Sequence, residues 1–312
     1  MKATRDGFGD QLLESGKNND KVIVLGADLG KATKTSAFQK EFPDRFYEIG
    51  IAECNMIGIA SGLSEYGFRP VISSFASFLT GKYDVIRVSV AYSNAPVILV
   101  GTHSGLAIGK DGVTQMGLED ITLMRALPNM TVIQPSTYNE TKAIVKHLLE
   151  NEMCGPVYLR LGRQPVEEIF HEDIVFTPEK ANVVKSGDDV CICSTGCVLP
   201  DVISAARMLE KDNISCEVVN FPTIKPLDTD YIKNNVHRFD LVVTVEDHSI
   251  VGGFGSSIAE ALCDIDPTPL CRIGLNDTFP ESGDPRDLYK KYGLDDVSIY
   301  NSILGKIRDE NK

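Results

Sequence analysis

The chain of 312 residues contains no tryptophan, only five histidines, and no run of about 20 apolar residues. Because a helix of roughly that length is needed to cross a bilayer, the sequence predicts no membrane-spanning segment. No two cysteines have the C-x-x-C spacing that is typical of zinc and redox sites. We therefore interpret the eight cysteines, which lie in apolar or helical stretches, as buried reduced thiols.

Basic residues are also scarce. The sequence has 31 Lys and Arg residues against 44 Asp and Glu residues, which gives a net charge of −13. This charge repels nucleic acid and anionic membranes, so we expect neither as a partner. An anionic small substrate would be repelled at long range too, and a phosphate site must therefore be built locally from arginines.

The amino-terminal sequence MKATRDGFGDQLLES lacks the apolar core of a signal peptide and predicts an amphipathic helix, which indicates a cytoplasmic protein. The hydrophobic content of 43% and the charged content of 24% are typical of a soluble globular protein. A length of 312 residues exceeds what one hydrophobic core usually organises, so the sequence favours two domains.

Short β-rich runs alternate with helical patterns along the chain. In the first part the predicted strands are KVIVLG, RFYEIG, RPVISS, PVILVGTH, NMTVIQP and VYLRLG, and in the second part they are CICSTG, SCEVVNF and DLVVTVED. Fully apolar strand cores such as VILV indicate parallel sheets that are buried on both faces. The predicted fold class is therefore α/β, with two domains that each contain a mainly parallel sheet covered by helices. The boundaries we predict are a first domain at residues 1–170, a linker at 171–188 and a second domain at 189–312.

Two glycine-rich segments are tested against phosphate-binding motifs, and neither matches. In GADLGKATKTS the position five residues after Gly26 is Lys31, so the P-loop spacing is absent. In GGFGSSI the third small residue of the dinucleotide fingerprint is replaced by Ile258. We interpret each segment as a tight turn that begins a helix.

Candidate functional residues follow the predicted strands, where ligands collect in parallel sheets. Glu53 lies between a strand and a helix, and by itself it could simply complement the helix dipole. Phe75 and Phe78 are three residues apart; they could pack in the core or stack on a flat ring. His103 and Asp111 lie in a loop with glycine at positions 101, 105, 109 and 112, which suggests a backbone folded tightly around a ligand.

The complete set of motifs resembles the transketolase family. The first domain is similar to the family's pyrimidine-binding domain, and the second is similar to its carboxyl-terminal domain. The motifs that carry the resemblance are ATRDGFG, GADLG, FYEIGIAECNMIGIASGL, SSFASFLTGKYD, THSGLAIGKDGVTQMGLED, YLRLGRQ, FPTIKPLD and TVEDHSIVGGFG.

The resemblance implies a transfer of two-carbon ketol units between sugar phosphates in the pentose phosphate pathway, with thiamine diphosphate as cofactor. Glu53 would exchange a proton with the cofactor's aminopyrimidine ring and favour the imino tautomer, whose nitrogen deprotonates the thiazolium carbon. Phe75 and Phe78 would line the pyrimidine pocket, with Asp28 near the cofactor. The residues implied on the substrate side are Arg5, His103, Asp111, Gln115 and Arg163, with the two arginines on the sugar phosphate and His103 also catalytic.

Two departures from the family pattern stand out. Gln115 occupies a position where many microbial members have histidine, and glutamine cannot supply a titrating proton. The sequence also contains no GDG motif, with which thiamine-diphosphate enzymes hold the diphosphate through a metal ion. We therefore expect no metal ligand in this chain, and we expect Mg²⁺ or Ca²⁺ to be held by a partner chain that carries the GDG motif. The start of the chain matches the start of the pyrimidine domain in full-length transketolases, so the expected enzyme is split, active only with its partner, and assembled from two copies of each chain.

Three alternatives remain open. A beta subunit of the decarboxylating component of a 2-oxo-acid dehydrogenase shares the layout and the missing motif, but has no reason to carry the THSGLAIGKDG loop. A deoxyxylulose-phosphate synthase normally has one longer chain. A non-catalytic regulatory subunit would not need the set of Glu53, His103, Asp111 and arginines.

Overall fold

Apolar strands alternate with helices throughout the computed structural model, which describes residues 1–310. The strands are β1 Val22–Gly26, β2 Phe46–Glu48, β3 Arg69–Phe75, β4 Ile98–Thr102, β5 Thr131–Ile133, β6 Val157–Arg160, β7 Asn182–Lys185, β8 Val190–Ser194, β9 Cys216–Asn220, β10 Thr223–Lys225, β11 Leu241–Ser249 and β12 Leu270–Leu275. All nine predicted runs contain one of these strands.

The helices are α1 Thr4–Asn18, α2 Gly30–Thr33, α3 Ser36–Glu41, α4 Glu53–Glu65, α5 Ala76–Thr80, α6 Tyr83–Val85, α7 Asp120–Arg125, α8 Tyr138–Glu150, α9 Leu199–Lys211, α10 Thr229–Asn235, α11 Phe254–Ile265, α12 Pro285–Lys291 and α13 Asp296–Glu310. A π-helical stretch, Ile86–Tyr92, follows α6. Single 3₁₀ turns occupy Pro43–Arg45, Leu106–Asp111, Val113–Gln115, Gly196–Val198 and Val236–Arg238. No helix in the described part of the chain is both long enough and apolar enough to cross a membrane.

The strands form two sheets. The first has the order β10-β5-β6-β4-β3-β1-β2, and the second has the order β12-β11-β8-β9-β7. Within each sheet the central strands are parallel, and β1, β4, β6 and β8 are buried at every position because helices cover both faces. The predicted α/β class with two mainly parallel sheets is confirmed.

Edge strands are where the structure differs from the sequence prediction. Strand β7 lies inside the segment 171–188 that we read as linker, and it pairs antiparallel with β9. Strand β10, from the second part of the chain, pairs antiparallel with β5 of the first sheet. Both are short edge strands of three or four residues, and β10 precedes a proline, so neither has a period-2 pattern long enough to detect.

The two domains pack against each other through one shared hydrophobic cluster. Leu106, Ala107 and Ile108, from the loop after β4, belong to the same buried cluster as Leu199 of α9 and Leu288 of α12. Leu106 is fully buried there. Burial of one such side chain contributes about 2 kcal/mol, so the second domain stabilises this loop of the first domain.

Candidate functional site

The predicted site residues gather at one edge of the first sheet. Strands β1, β3, β4 and β6 run parallel, so their carboxyl ends meet at this edge. Four of the predicted residues lie at these ends or within three residues of them: Asp28 after β1, Phe75 as the last residue of β3, His103 directly after β4 and Arg163 after β6. This is the edge at which open parallel sheets bind ligands.

Glu53 begins helix α4 and is only 7% exposed. Its position in the first turn places the carboxylate in the favourable field of the helix dipole. The Ser74 hydroxyl donates a hydrogen bond of 3.1 Å to Oε1 of Glu53. Among residues 1–310 no group donates to Oε2, so this buried carboxylate keeps free acceptor capacity.

An aromatic stack adjoins this acid, because Phe75 follows Ser74 in β3. The rings of Phe75 and Phe78 lie with centroids 5.4 Å apart and planes inclined by 18°. The imidazole of His103 stacks on Phe75 at a centroid distance of 3.9 Å. The three rings form one stack at the carboxyl ends of β3 and β4, next in the chain to Ser74, the hydrogen-bond partner of Glu53.

His103 has a strained backbone and a defined tautomer. Its φ of 58° lies in the left-handed region, a conformation that is costly for a non-glycine residue and is found most often at functional sites. Arg5 Nη1 donates to Nε2 over 3.0 Å, so Nε2 is the acceptor. Nδ1 must then carry the proton of the neutral ring and donates it to Thr102 Oγ1 over 2.9 Å. Burial, reinforced by the nearby cations of Arg5, Arg163 and Lys34, lowers the pKa of His103 from 6.5 to about 3.

Two arginines, Arg5 and Arg163, provide guanidinium groups that are suited to binding an anion. Besides His103, Arg5 Nη1 reaches the carbonyl oxygen of Ala32 at 2.9 Å, and Arg5 Nε is buried without a hydrogen-bond partner in the described structure. Arg163 Nη1 donates to Asp111 Oδ2 over 2.5 Å and to the carbonyl oxygen of Ile108 over 3.2 Å. Asp111 and Arg163 therefore form an ion pair at the mouth of the site, with both side chains more than one third exposed.

Two predicted residues have looser connections to this set. Asp28 is exposed with a φ of 58°, and its backbone N–H donates to Glu48 Oε1 over 2.7 Å. No hydrogen bond within the described chain joins Asp28 to Glu53 or His103. Gln115 is fixed through its backbone, because its carbonyl oxygen accepts a 3.0 Å hydrogen bond from the Ser77 hydroxyl in the helix of Phe78.

Sequence reasoning missed Ser74, Thr102 and Lys34. Ser74 binds Glu53, and Thr102 accepts from His103 while donating to the carbonyl oxygen of Ser74 over 3.3 Å. Their signal was a hydroxyl at the last positions of an apolar strand, which is easily read as ordinary strand composition. Lys34 pairs with Asp6 at 2.9 Å and contributes to the positive field around His103.

The described residues include no group of three or more His, Cys, Asp or Glu side chains that could hold a metal ion. The arrangement at the sheet edge therefore combines a buried carboxylate, an aromatic surface and an arginine pair without a metal centre of its own. Such a combination in an α/β protein is chemically suited to a flat organic group together with an anionic ligand.

Comparison with known proteins assigns the family. Residues 1–168 match the family described as "Transketolase, pyrimidine binding domain", and residues 179–299 match "Transketolase, C-terminal domain". A protein of Methanocaldococcus jannaschii described as "Putative transketolase C-terminal section" is 42% identical over 99% of this chain and 98% of its own length. The 6-deoxy-6-sulfo-D-fructose transketolase subunit SqwH of a Clostridium species is 38% identical over 93% of this chain and 90% of its own length.

Among solved structures, one titled "Split gene transketolase, inactive beta4 tetramer" superposes with a TM-score of 0.91 and 42% identity over 98% of both chains. Several other relatives are about twice as long; this chain covers 49% of human transketolase, for example. The chain belongs to the transketolase family, and it contains the family's pyrimidine-binding and carboxyl-terminal domains.

Proposed function

We propose that this chain is the cofactor-activating subunit of a two-chain, thiamine-diphosphate-dependent transketolase that moves two-carbon ketol units between sugar phosphates. The observation that carries the proposal is the buried carboxylate of Glu53, which has one oxygen free beside an aromatic surface. The relatives support it, since two of them are named as a section or a subunit of a transketolase.

The residues present fit one end of the cofactor. A carboxylate with free acceptor capacity suits a ring nitrogen of an aminopyrimidine, and the Phe75–Phe78 pair suits the face of such a ring. The diphosphate end needs a divalent cation with oxygen ligands, and the described residues offer no cluster for it. We therefore propose that a partner chain carrying a GDG motif holds the diphosphate and its Mg²⁺, and that two copies of each chain assemble.

When bound, the cofactor supplies the carbon nucleophile that accepts the two-carbon unit. Glu53 holds or releases a proton at the ring nitrogen, and the bound ring would exclude water from its Oε2. His103 stays neutral at physiological pH, so it carries no positive charge, and its Nε2 can accept a hydrogen bond from a sugar hydroxyl once Arg5 turns to the phosphate. Arg5 and Arg163 bind the terminal phosphate, and Asp111, now paired with Arg163, is placed to contact a sugar hydroxyl when the phosphate takes over that guanidinium.

Gln115 and Asp28 complete the proposed set. Gln115 can donate and accept hydrogen bonds with a substrate hydroxyl, but it cannot act as a general acid. Asp28 has an exposed carboxylate at the same sheet edge, near where the cofactor would lie.

Reconstitution tests the proposal. The chain alone should bind thiamine diphosphate weakly, and co-purification with its partner should yield a particle whose native mass corresponds to two copies of each chain. That particle should transfer the ketol unit from xylulose 5-phosphate to ribose 5-phosphate in a Mg²⁺-dependent reaction. Tight, Mg²⁺-dependent cofactor binding by the isolated chain would contradict the split arrangement.

Substrate controls separate this proposal from its rivals. Oxidation of pyruvate without ketol transfer would indicate the beta subunit of a 2-oxo-acid dehydrogenase component instead. Condensation of pyruvate with glyceraldehyde 3-phosphate would indicate a deoxyxylulose-phosphate synthase. Since one relative is named for a sulfo-sugar, 6-deoxy-6-sulfofructose should be assayed as a donor. A preference for it would keep the transferase chemistry and change the terminal anion from phosphate to sulfonate.

A further inference from the structure

The loop between β4 and α7, residues 103–119, carries three of the proposed substrate residues: His103, Asp111 and Gln115. Its regular structure is limited to short 3₁₀ segments, Leu106–Asp111 with a kink at Gly109 and Val113–Gln115, so little of its shape is fixed by its own backbone hydrogen bonds. Its apolar residues, including Leu106 and Ile108, are buried in the core cluster of the second domain. The shape of the loop therefore depends on what the second domain presents to it.

Asp247 of β11 is hydrogen-bonded to the start of this loop. Its Oδ1 accepts the backbone N–H of Leu106 over 2.9 Å, and its Oδ2 accepts the hydroxyl of Tyr289 over 2.8 Å. The residue is only 4% exposed, and both of its carboxylate oxygens are thus engaged. The side chain links α12 of the second domain to the loop backbone three residues after His103.

The lack of a side chain at Gly105 allows Asp247 to approach the loop backbone. Its φ of 72° is in the left-handed region, and a Cβ at this position would lie 2.1 Å from Asp247 Oδ2. A side chain would therefore push the loop away from the carboxylate. Glycine at position 105 is required both by the backbone conformation and by the close approach of Asp247.

The rest of the loop is held in the same way. A Cβ on Gly109 would lie 2.9 Å from Pro285 Cγ, and one on Gly112 would lie 2.5 Å from Ser282 Oγ. At the far end, the N–H of Ser249 donates to the carbonyl oxygen of Leu118 over 2.9 Å. The second domain thus contacts the loop along its length.

A buried cation completes the junction. Arg160, at the end of β6, donates from Nη2 to the carbonyl oxygens of Gly117 and Asp247 over 2.9 and 3.0 Å, and from Nε to Asp120 over 2.8 Å. Burial raises the pKa of Asp247, and the charge of Arg160 opposes that shift. The first domain therefore contributes Arg160 and Asp120 to the contact around the loop, and the second domain contributes Asp247.

We propose that Asp247, supported by Tyr289, is a positioning residue of the active site: it fixes the backbone at Gly105 and Leu106 and thereby sets the place of His103. This assigns a task in substrate recognition to the carboxyl-terminal domain, and it rests on the function proposed above. Because displacement of a substrate-binding group by about 1 Å can reduce activity roughly 100-fold, such an anchor matters although it does not touch substrate.

Hydrogen exchange and kinetics of Asp247→Ala test the proposal. We expect the amide of Leu106 to exchange about tenfold faster, since its acceptor is removed. In the assembled enzyme we expect the KM for xylulose 5-phosphate to rise by about tenfold or more. The dissociation constant of thiamine diphosphate should change less, because Glu53 and Phe78 lie outside the loop and Phe75 contacts it through the ring of His103. Asp240→Ala, at the exposed opposite end of β11, is the matched control and should change neither quantity.

Conservative variants separate positioning from general stability. Asp247→Asn keeps an oxygen that can accept from Leu106, so it should restore most of the KM. Tyr289→Phe removes only the hydroxyl and should produce a smaller change in the same direction, which keeps the test valid if Asp247→Ala does not fold. Unchanged exchange at Leu106 would overturn the proposal, as would a parallel loss of substrate affinity, cofactor affinity and melting temperature.

Gly105→Ala approaches the same contact from the other side. Gly67→Ala is its matched control, because Gly67 has a φ of 79° and no atom within 4 Å of the added Cβ. Both variants place a side chain at a positive φ, and Gly105 also has a ψ of −167°, which adds strain there. Only Gly105→Ala should raise the KM and speed exchange at Leu106. Equal effects of the two substitutions would contradict the proposal.

If the wild-type assembly shows no ketol transfer, the proposed function fails, while the exchange measurements still decide whether Asp247 positions the loop.

Discussion

Each domain has a buried acid and a buried histidine near the carboxyl ends of its strands: Glu53 after β2 and His103 after β4 in the first domain, and Glu246 and His248 in the last part of β11 in the second. In the second domain, both oxygens of Glu246 accept backbone N–H groups of α11, from Phe254 at 2.7 Å and from Gly255 at 2.8 Å. In the first domain, Glu53 has one partner, Ser74, and an oxygen without a donor in the described chain.

This difference separates a structural acid from a candidate functional one. Buried polar groups are nearly always satisfied within the fold, so a buried carboxylate with spare capacity suggests an external ligand. In the glycine-rich GGFGSSI segment, the carboxylate of Glu246 occupies the amino terminus of α11, the position that an external anion would otherwise take. The prediction that this segment is a tight turn at the start of a helix is confirmed.

The same substitution at both acids should destabilise the chain by different amounts. Glu246→Ala leaves two buried N–H groups without acceptors and should lower the free energy of unfolding by about 3 kcal/mol. Glu53→Ala frees one hydroxyl, which can turn to another acceptor, and should lower it by about 1 kcal/mol. Urea unfolding of the chain measures both values. Equal losses in the free energy of unfolding would contradict the distinction between Glu246 as a structural acid and Glu53 as a functional one.

Arg5 should matter for phosphorylated substrates alone. Removing a charge-assisted contact costs about 1.5–3 kcal/mol, so Arg5→Ala in the assembled enzyme should raise the KM for xylulose 5-phosphate by about 10- to 100-fold. The reaction with an unphosphorylated ketose should change little. Arg207→Ala, an exposed arginine of α9, serves as the control. A similar rise in KM with both kinds of ketose would show that Arg5 does not bind the phosphate.

Acid should destabilise the chain partly through His103. Its pKa of about 3 in the folded chain lies below the unfolded value of 6.5, so the unfolded state binds more protons between these values and stability falls as the pH falls. Between pH 7 and pH 5 this single group accounts for up to about 2 kcal/mol. His103→Gln should therefore lose correspondingly less stability over that interval, as measured by urea unfolding at each pH. Parallel pH profiles of the two proteins would show that His103 is not held neutral by its surroundings.

Local patterns in the sequence were sufficient for much of the fold. Apolar runs such as VILV predicted the buried parallel strands, because burial on both faces leaves a continuous apolar stretch. The edge strands β7 and β10 could not be predicted, since they are short and their pairing depends on residues far along the chain. The sequence order also hid the fact that β10 completes the first sheet.

The candidate site was predictable to a similar extent. Glu53, Phe75, Phe78 and His103 were found from motifs at the ends of strands, and the structure brings them together. Asp247 was not, because it lies 141 positions from Leu106 and a sequence carries no direct signal of such a contact. The hydroxyls of Ser74 and Thr102 were missed for a different reason, since serine and threonine are unremarkable in a strand.

The central claim is that the carboxylate of Glu53 activates the cofactor, and Glu53→Gln tests it most directly. In the assembled particle this isosteric change should reduce the rate of ketol transfer by about 100-fold or more, because the amide cannot exchange a proton with the pyrimidine ring. Glu65→Gln, at the exposed other end of α4, should leave the rate unchanged. Ketol transfer at the wild-type rate by the Glu53→Gln particle would contradict the account.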